Sequence, residues 1–214
     1  MKKVLILLSV LFFSLLFAND LTLSANSPPV KGGELPVINL PIPKNPNEKF
    51  YLGLHGDGFF KIQQIKAKAL LIKIFNIYCP TCQSTAAAMT ELYHEIERNA
   101  DLKSKLKLIG VGAGNSPSEV EVFKQTHHVA FPIFPDEDFK IHKVLGEVRI
   151  PFFIVIKMNG DGSNEIIHTH LGTLTEVQSI LNLMLDADGI DGEDLLKREK
   201  LTTSTAIESS SHDE

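Results

Sequence analysis

Cys79 and Cys82 are the only thiols in the 214-residue chain. Their C-x-x-C spacing lets them close a disulfide with each other or hold a soft metal. A ring that small cross-links almost nothing and gives little chain-entropy stabilisation, so the spacing suits reversible dithiol–disulfide chemistry better than stapling. The surrounding elements indicate which sulfur would react. Residues 70–75 (LLIKIF) are an apolar run of strand length, a short turn follows, and residues 81–99 read as a helix with Met89, Leu92, Tyr93 and Ile96 at helical spacing. Cys79 thus stands where a strand gives way to a helix N-terminus, whose unpaired N–H groups and dipole favour thiolate over thiol.

The N-terminus bears on the redox compartment. Residues 1–18 open with Lys2 and Lys3, continue through an apolar run and end on Ala18, the pattern of a cleaved secretory signal peptide; the alternative is an uncleaved anchor. Exported chains that need disulfides for stability usually carry several, whereas this one has a single close pair, which again points to redox use. The net charge of -5 is uneven. Residues 186–214 hold nine acidic and three basic residues, so the remainder is near neutral and has no basic patch suited to nucleic acid.

Turn and extended formers (Pro28, Pro29, Gly32, Gly33, Pro36, Pro41, Pro43, Pro46) mark residues 19–49 as an extended linker. Glycine-punctuated residues 51–64 suggest a small hairpin. Residues 107–112 read as a second buried strand, and Ser116-Pro117-Ser118-Glu119 as a helix start with Ser116 as N-cap and Glu119 completing a capping box. A short strand-like piece at 131–134, a short helix at 139–145, strands at 152–158 and 165–171 joined by the Asn159-Gly160-Asp161-Gly162 turn, and a helix over 175–185 complete the order. Such crossovers imply a parallel central sheet with an antiparallel edge pair and helices on both faces. The folded domain is expected over residues 50–186, followed by an acidic disordered tail over 187–214. A calcium loop at 186–191 is disfavoured, because Gly189 falls at the fourth position and Lys197 at the twelfth.

The strand-turn-helix bearing Cys79-Pro80-Thr81-Cys82, together with Ile150-Pro151 just before an apolar strand, resembles the active site of the thioredoxin superfamily. Residues 51–185 look like its TlpA/ResA-like exported group. That resemblance implies a three-layer α/β/α sandwich with a mixed sheet and an antiparallel edge pair. It implies that Cys79 is the nucleophile, Cys82 the resolving thiol and Pro151 a cis-proline, with the backbone of Ile150 free to pair with substrate. Tyr78, Pro80 and Thr81 would help position the substrate. No cofactor and no metal are called for; the partners implied are a protein disulfide substrate and a membrane electron donor, with membrane contact only through the N-terminal segment if it stays uncleaved.

Three residues depart from the pattern. Tyr78 replaces the tryptophan that many relatives carry. Lys73 stands where thioredoxins have a buried acid; its side chain is expected to snorkel to the sheet edge or pair with Glu91 or Glu95, the alternative being a place beneath the cysteines. Thr85 occupies a position where some ResA-like reductases have a glutamate. The competing functions are a disulfide oxidase or isomerase of folding, and a zinc or copper module in which His127, His128, His168 or His170 joins the cysteines. A peroxidase is disfavoured because Asn76, not threonine, precedes Cys79 by three residues, and Gln83 after Cys82 excludes a c-type haem site.

Overall fold

Seven short strands, seven α-helices and one 3-10 turn are seen in the computed structural model, which describes residues 27–174 and 177–188. The centre is β3 (Ala69–Phe75), buried at every position. A strand covered on both faces must be apolar on both, which is why ALLIKIF reads as an unbroken run. It pairs in parallel with β4 (Leu106–Ala113), which pairs in parallel with β5 (Ile133–Asp136). On its other side β3 pairs antiparallel with β6 (Phe152–Met158), and β6 antiparallel with β7 (Asn164–Leu171). The sheet order is therefore β5-β4-β3-β6-β7.

Alternate β3 side chains feed two cores. Ala69, Leu71 and Phe75 face one cluster, which includes Met89, Leu92 and Ile96 of the helix Ala86–Arg98, Val120 and Phe123 of Pro117–Thr126, and Ile180, Leu181 and Met184 of Val177–Asp188. Leu70, Ile72 and Ile74 face the other, which holds Leu35, Ile38, Leu40, Leu52, Phe60 and Leu145. The sheet is thus sandwiched between two layers, a thioredoxin-like α/β/α arrangement. The helices, in chain order, are α1 (Pro46–Leu52), α2 (Pro80–Ser84), α3 (Ala86–Arg98), α4 (Ala100–Lys103), α5 (Pro117–Thr126), α6 (Lys140–Val144) and α7 (Val177–Asp188).

The second layer corrects the expected linker. Residues 35–41 are built into the domain: Leu35, Ile38 and Leu40 are buried, and β1 (Asn39–Pro41) pairs antiparallel with β2 (Phe59–Lys61). The expected hairpin within 51–64 is absent, because β2 takes β1 as its partner and α1 intervenes. That helix begins with Asn45 as N-cap, its side chain accepting from the Asn47 amide, and Pro46 in the first turn; it ends at Gly53 in the left-handed conformation. Tyr51 anchors it, its hydroxyl accepting the Leu108 amide at 2.7 Å on the flank of β4 that β5 does not reach. The helix expected over 81–99 is instead interrupted at Thr85. The proposed signal segment at 1–18 lies outside the described residues, as does the expected tail at 187–214 apart from residues 187 and 188, which belong to α7 rather than to a disordered tail.

Candidate active site

Cys79 ends the turn that follows β3 and Cys82 lies in the helix after it, and side chains hold that turn in place. Asn76 donates from Nδ2 to the Ala113 carbonyl at 2.8 Å and accepts the Tyr78 amide at 2.9 Å. Buried Asn115 accepts the Ile77 amide at 3.1 Å, and Gln83 donates to the Ile77 carbonyl at 2.7 Å. The ends of β3 and β4 and the first turn of α2 are thereby tied to one short loop. Gly114 makes the bend after β4 with φ of 70°, and any side chain there would collide with the Phe139 ring.

Cys79 is the N-cap residue of α2, extended at φ -82° and ψ 115°, and its carbonyl accepts the amides of Cys82 at 2.9 Å and Gln83 at 3.0 Å. Its thiol makes no capping bond, so the half-buried sulfur is left for chemistry. Cys82 is fully buried. Burial pushes its thiol up to about 12, helped by the hydrogen bond it donates to Cys79 and opposed by the backbone at Asn76 and the charge of Lys73. Pro80 and Thr81 are exposed beside the pair. The Ile150–Pro151 peptide bond is cis. Since Ile74 pairs with Phe152, the antiparallel register sets Pro151 beside the C-terminal end of β3, and half-buried Ile150 packs on the same core as Cys79.

Lys73 overturns the expectation of a snorkelling side chain. It is 1 % exposed, and its Nζ donates to the Cys82 carbonyl at 3.0 Å while lying 5.0 Å from the Phe75 ring centre. Position 73 shares the face of Leu71 and Phe75, under the cysteine-bearing helix, so the stem has no short route to water. Burial pulls its ammonium down to about 8, against the opposing pull of Cys82 and Cys79, which are the charges that act on it rather than Glu91 or Glu95. Thr85, buried where α2 gives way to α3, donates to the same Cys82 carbonyl at 2.9 Å.

Tyr78 is 68 % exposed and its hydroxyl donates to the Glu119 carboxylate. That bond holds the phenol above its ordinary value and the carboxyl below its own; Glu119 also accepts the Ser116 amide and hydroxyl in the capping box of α5. A helix cap thus doubles as the tether of the aromatic residue before the first cysteine. Sequence reasoning identified the box but not the tether, nor the clamp made by Asn76, Asn115 and Gln83; the Gly114-Asn115 pair after a buried strand was the available signal.

The histidines do not gather around the thiols. Helix α5 starts next to the cysteine turn and ends just before His127 and His128, about 15 Å along its axis at 1.5 Å per residue. His127 stacks on Phe123 with ring centres 4.4 Å apart, and His168 and His170 lie on edge strand β7. Among the described residues no group of three or more His, Cys, Asp or Glu side chains converges as a metal site.

Residues 44–161, more than half of the chain, match the AhpC/TSA family. A curated relative, thiol-disulfide oxidoreductase ResA of Halalkalibacterium halodurans, is 25% identical over 116 residues, which are 54% of this chain and 61% of the relative. The match thus spans less than two thirds of that relative's length. Among solved structures, a candidate thiol:disulfide interchange protein DsbE of Chlorobium tepidum superposes with a TM-score of 0.57 at 15% identity, over 74% of this chain and 97% of the other. The thioredoxin domain of thiol-disulfide oxidoreductase BVU-2223 of Bacteroides vulgatus gives 0.54 at 12% identity, over 73% and 99%. Likeness at these identities concerns the fold.

Proposed function

The chain belongs to the AhpC/TSA family, and on that premise we propose that it is an exported thiol-disulfide oxidoreductase that reduces protein disulfides through Cys79 and Cys82. The observation that carries the reading is the asymmetry of the pair: a half-buried Cys79 whose thiol makes no capping bond at a helix N-cap, and a fully buried Cys82 one turn later. An accessible thiolate can attack a substrate disulfide, whereas a buried thiol reacts only with what is brought to it.

Cys79 attacks one sulfur of the substrate disulfide, forming a mixed disulfide and expelling one substrate thiolate. Cys82 then loses its proton and attacks the Cys79 sulfur, expelling the second substrate thiolate. The substrate has gained two electrons and the Cys79–Cys82 pair has lost them. A dithiol donor on the membrane restores the pair by the reverse exchange. The backbone of Ile150 offers an extended substrate segment a place beside Cys79, and Tyr78, Pro80 and Thr81 border that place. Export rests on the signal-like residues 1–18, and the resemblance of the CPTC and Ile150-Pro151 motifs to ResA-like proteins supports the direction of transfer.

Insulin reduction with dithiothreitol as electron source tests the reading. The parent should accelerate precipitation of the insulin B chain and Cys79→Ser should not; equal rates would sink the assignment. The direction is tested by equilibrating the pair against a glutathione series. A potential more negative than about -180 mV fits a reductase, and one near about -120 mV overturns that direction in favour of an oxidase.

A further inference from the structure

The resolving step needs a base, and the site holds one in an unusual place. We propose that the buried side chain of Lys73 exchanges the proton of Cys82, taking it as Cys82 attacks the mixed disulfide and returning it when the pair is reduced again. The inference rests on the dithiol reading above and extends it to the half-reaction that solvent does not reach.

Geometry carries the proposal. Lys73 rises from β3 directly beneath the cysteine-bearing helix, with its Nζ 3.0 Å from the Cys82 carbonyl. The groups facing it come from every element packed around it. The segment from the turn into α3 gives Cys79, Cys82 and the uncharged Thr85 hydroxyl, whose bond to the same carbonyl fixes that oxygen. Its cross-strand neighbours are Gly110 on β4 and Phe153 on β6, and His170 on β7 stands behind the Phe153 ring with centres 6.4 Å apart. Helix α7 adds Ile180, Leu181 and Met184, all apolar. Among the described residues Lys73 is the basic side chain bonded to the Cys82 backbone, and its charge acts on the Cys82 thiol. Burial lowers the Lys73 ammonium to about 8, so a fraction of it is a neutral amine able to accept a proton near pH 7, and burial favours the protonated form of Cys82, which must give one up.

The exchange balances. The neutral Lys73 amine takes the Cys82 proton, the Cys82 thiolate forms the bond to the Cys79 sulfur, and the bond from Cys79 to the substrate sulfur breaks. The departing substrate thiolate takes a proton from solvent. When a dithiol donor attacks Cys79, Cys82 leaves as thiolate and recovers its proton from the Lys73 ammonium, while the donor becomes a disulfide. The ammonium also stabilises the buried thiolate during its brief existence.

The test uses the reduced protein and one equivalent of 5,5′-dithiobis(2-nitrobenzoic acid) in stopped flow. The first equivalent of coloured thiolate reports attack by Cys79, the second attack by Cys82. Lys73→Met should leave the first phase within about twofold of the parent and slow the second at least about tenfold at pH 7. Lys73→Arg, which keeps the charge but cannot accept a proton, should be slowed likewise. A second phase within about twofold of the parent in either variant overturns the proton-exchange role. If neither variant folds, the parent's pH profile decides. The second-phase rate should rise and then level above about pH 8, where the amine is neutral; a rise continuing tenfold per pH unit through pH 9.5 overturns the role. A parent with no first phase would instead overturn the dithiol reading itself, so the two failures are distinguishable.

Discussion

Asn115 accepts the amide hydrogen of Ile77 at 3.1 Å, and both residues are buried. With the Asn76–Ala113 and Tyr78–Glu119 bonds, this bond joins the loop after β4 to the turn after β3, and so joins the start of α5 to the loop bearing the reactive cysteine.

Replacing Asn115 by alanine leaves the Ile77 amide buried and unpaired. The expected cost is about 1–3 kcal/mol, read from the midpoint of urea unfolding at unchanged slope. A loss below about 0.3 kcal/mol would show that the clamp is dispensable.

Leu40 is 0 % exposed in the second core. Leu40→Ala should destabilise the protein by about 2–5 kcal/mol in the same assay. A change within about 0.5 kcal/mol is what a mere linker would give.

Lys73 makes stability depend on pH with a definite sign. Its ammonium loses its proton near 8 in the folded protein but near its ordinary value of 10.5 when unfolded. Below pH 8 both states are protonated and the burial penalty is fully present. Between about 8 and 10.5 the unfolded state binds more protons, so stability rises with pH. Relative to Lys73→Met, the parent should gain about 3 kcal/mol between pH 7 and 11. The comparison is made with Cys82 replaced by serine in both proteins, which removes the opposing thiol titration. Parallel stability curves for the two proteins would contradict the buried ammonium.

The tether between Tyr78 and Glu119 is read by absorbance of the phenolate at 295 nm. Glu119→Gln should move the Tyr78 titration down toward its ordinary value, because the acceptor that favours the protonated phenol is lost. An unmoved titration would mean that the bond does not persist in solution.

The elements that position the cysteines were legible because burial leaves a periodic trace. The run 70–75, the Ser116–Glu119 capping box and the 152–158 strand all appear where pattern places them. Helix α1 was missed although Asn45-Pro46-Asn47-Glu48 is an N-terminus signature, since the prolines around it read as linker and its seven residues show little periodicity. The pairing of β2 with β1 was illegible locally, because the partner lies across an intervening helix. Lys73 was misread for a different reason: composition gives a lysine in a strand a solvated end by default. Only the stacking of helices on that face removes the route to water. The interruption at Thr85 follows from the same contact, as two side-chain donors converge on the Cys82 carbonyl where helix formers alone suggested continuity.

The division of labour between the two thiols is tested most directly by trapping. Cys82→Ser, reduced and mixed with insulin, should accumulate a mixed disulfide whose mass and peptide map place the bond on Cys79. Cys79→Ser should accumulate none. A bond to Cys82 in the Cys79→Ser protein at a comparable rate, or no bond to Cys79 in the Cys82→Ser protein, would contradict the roles proposed for the pair.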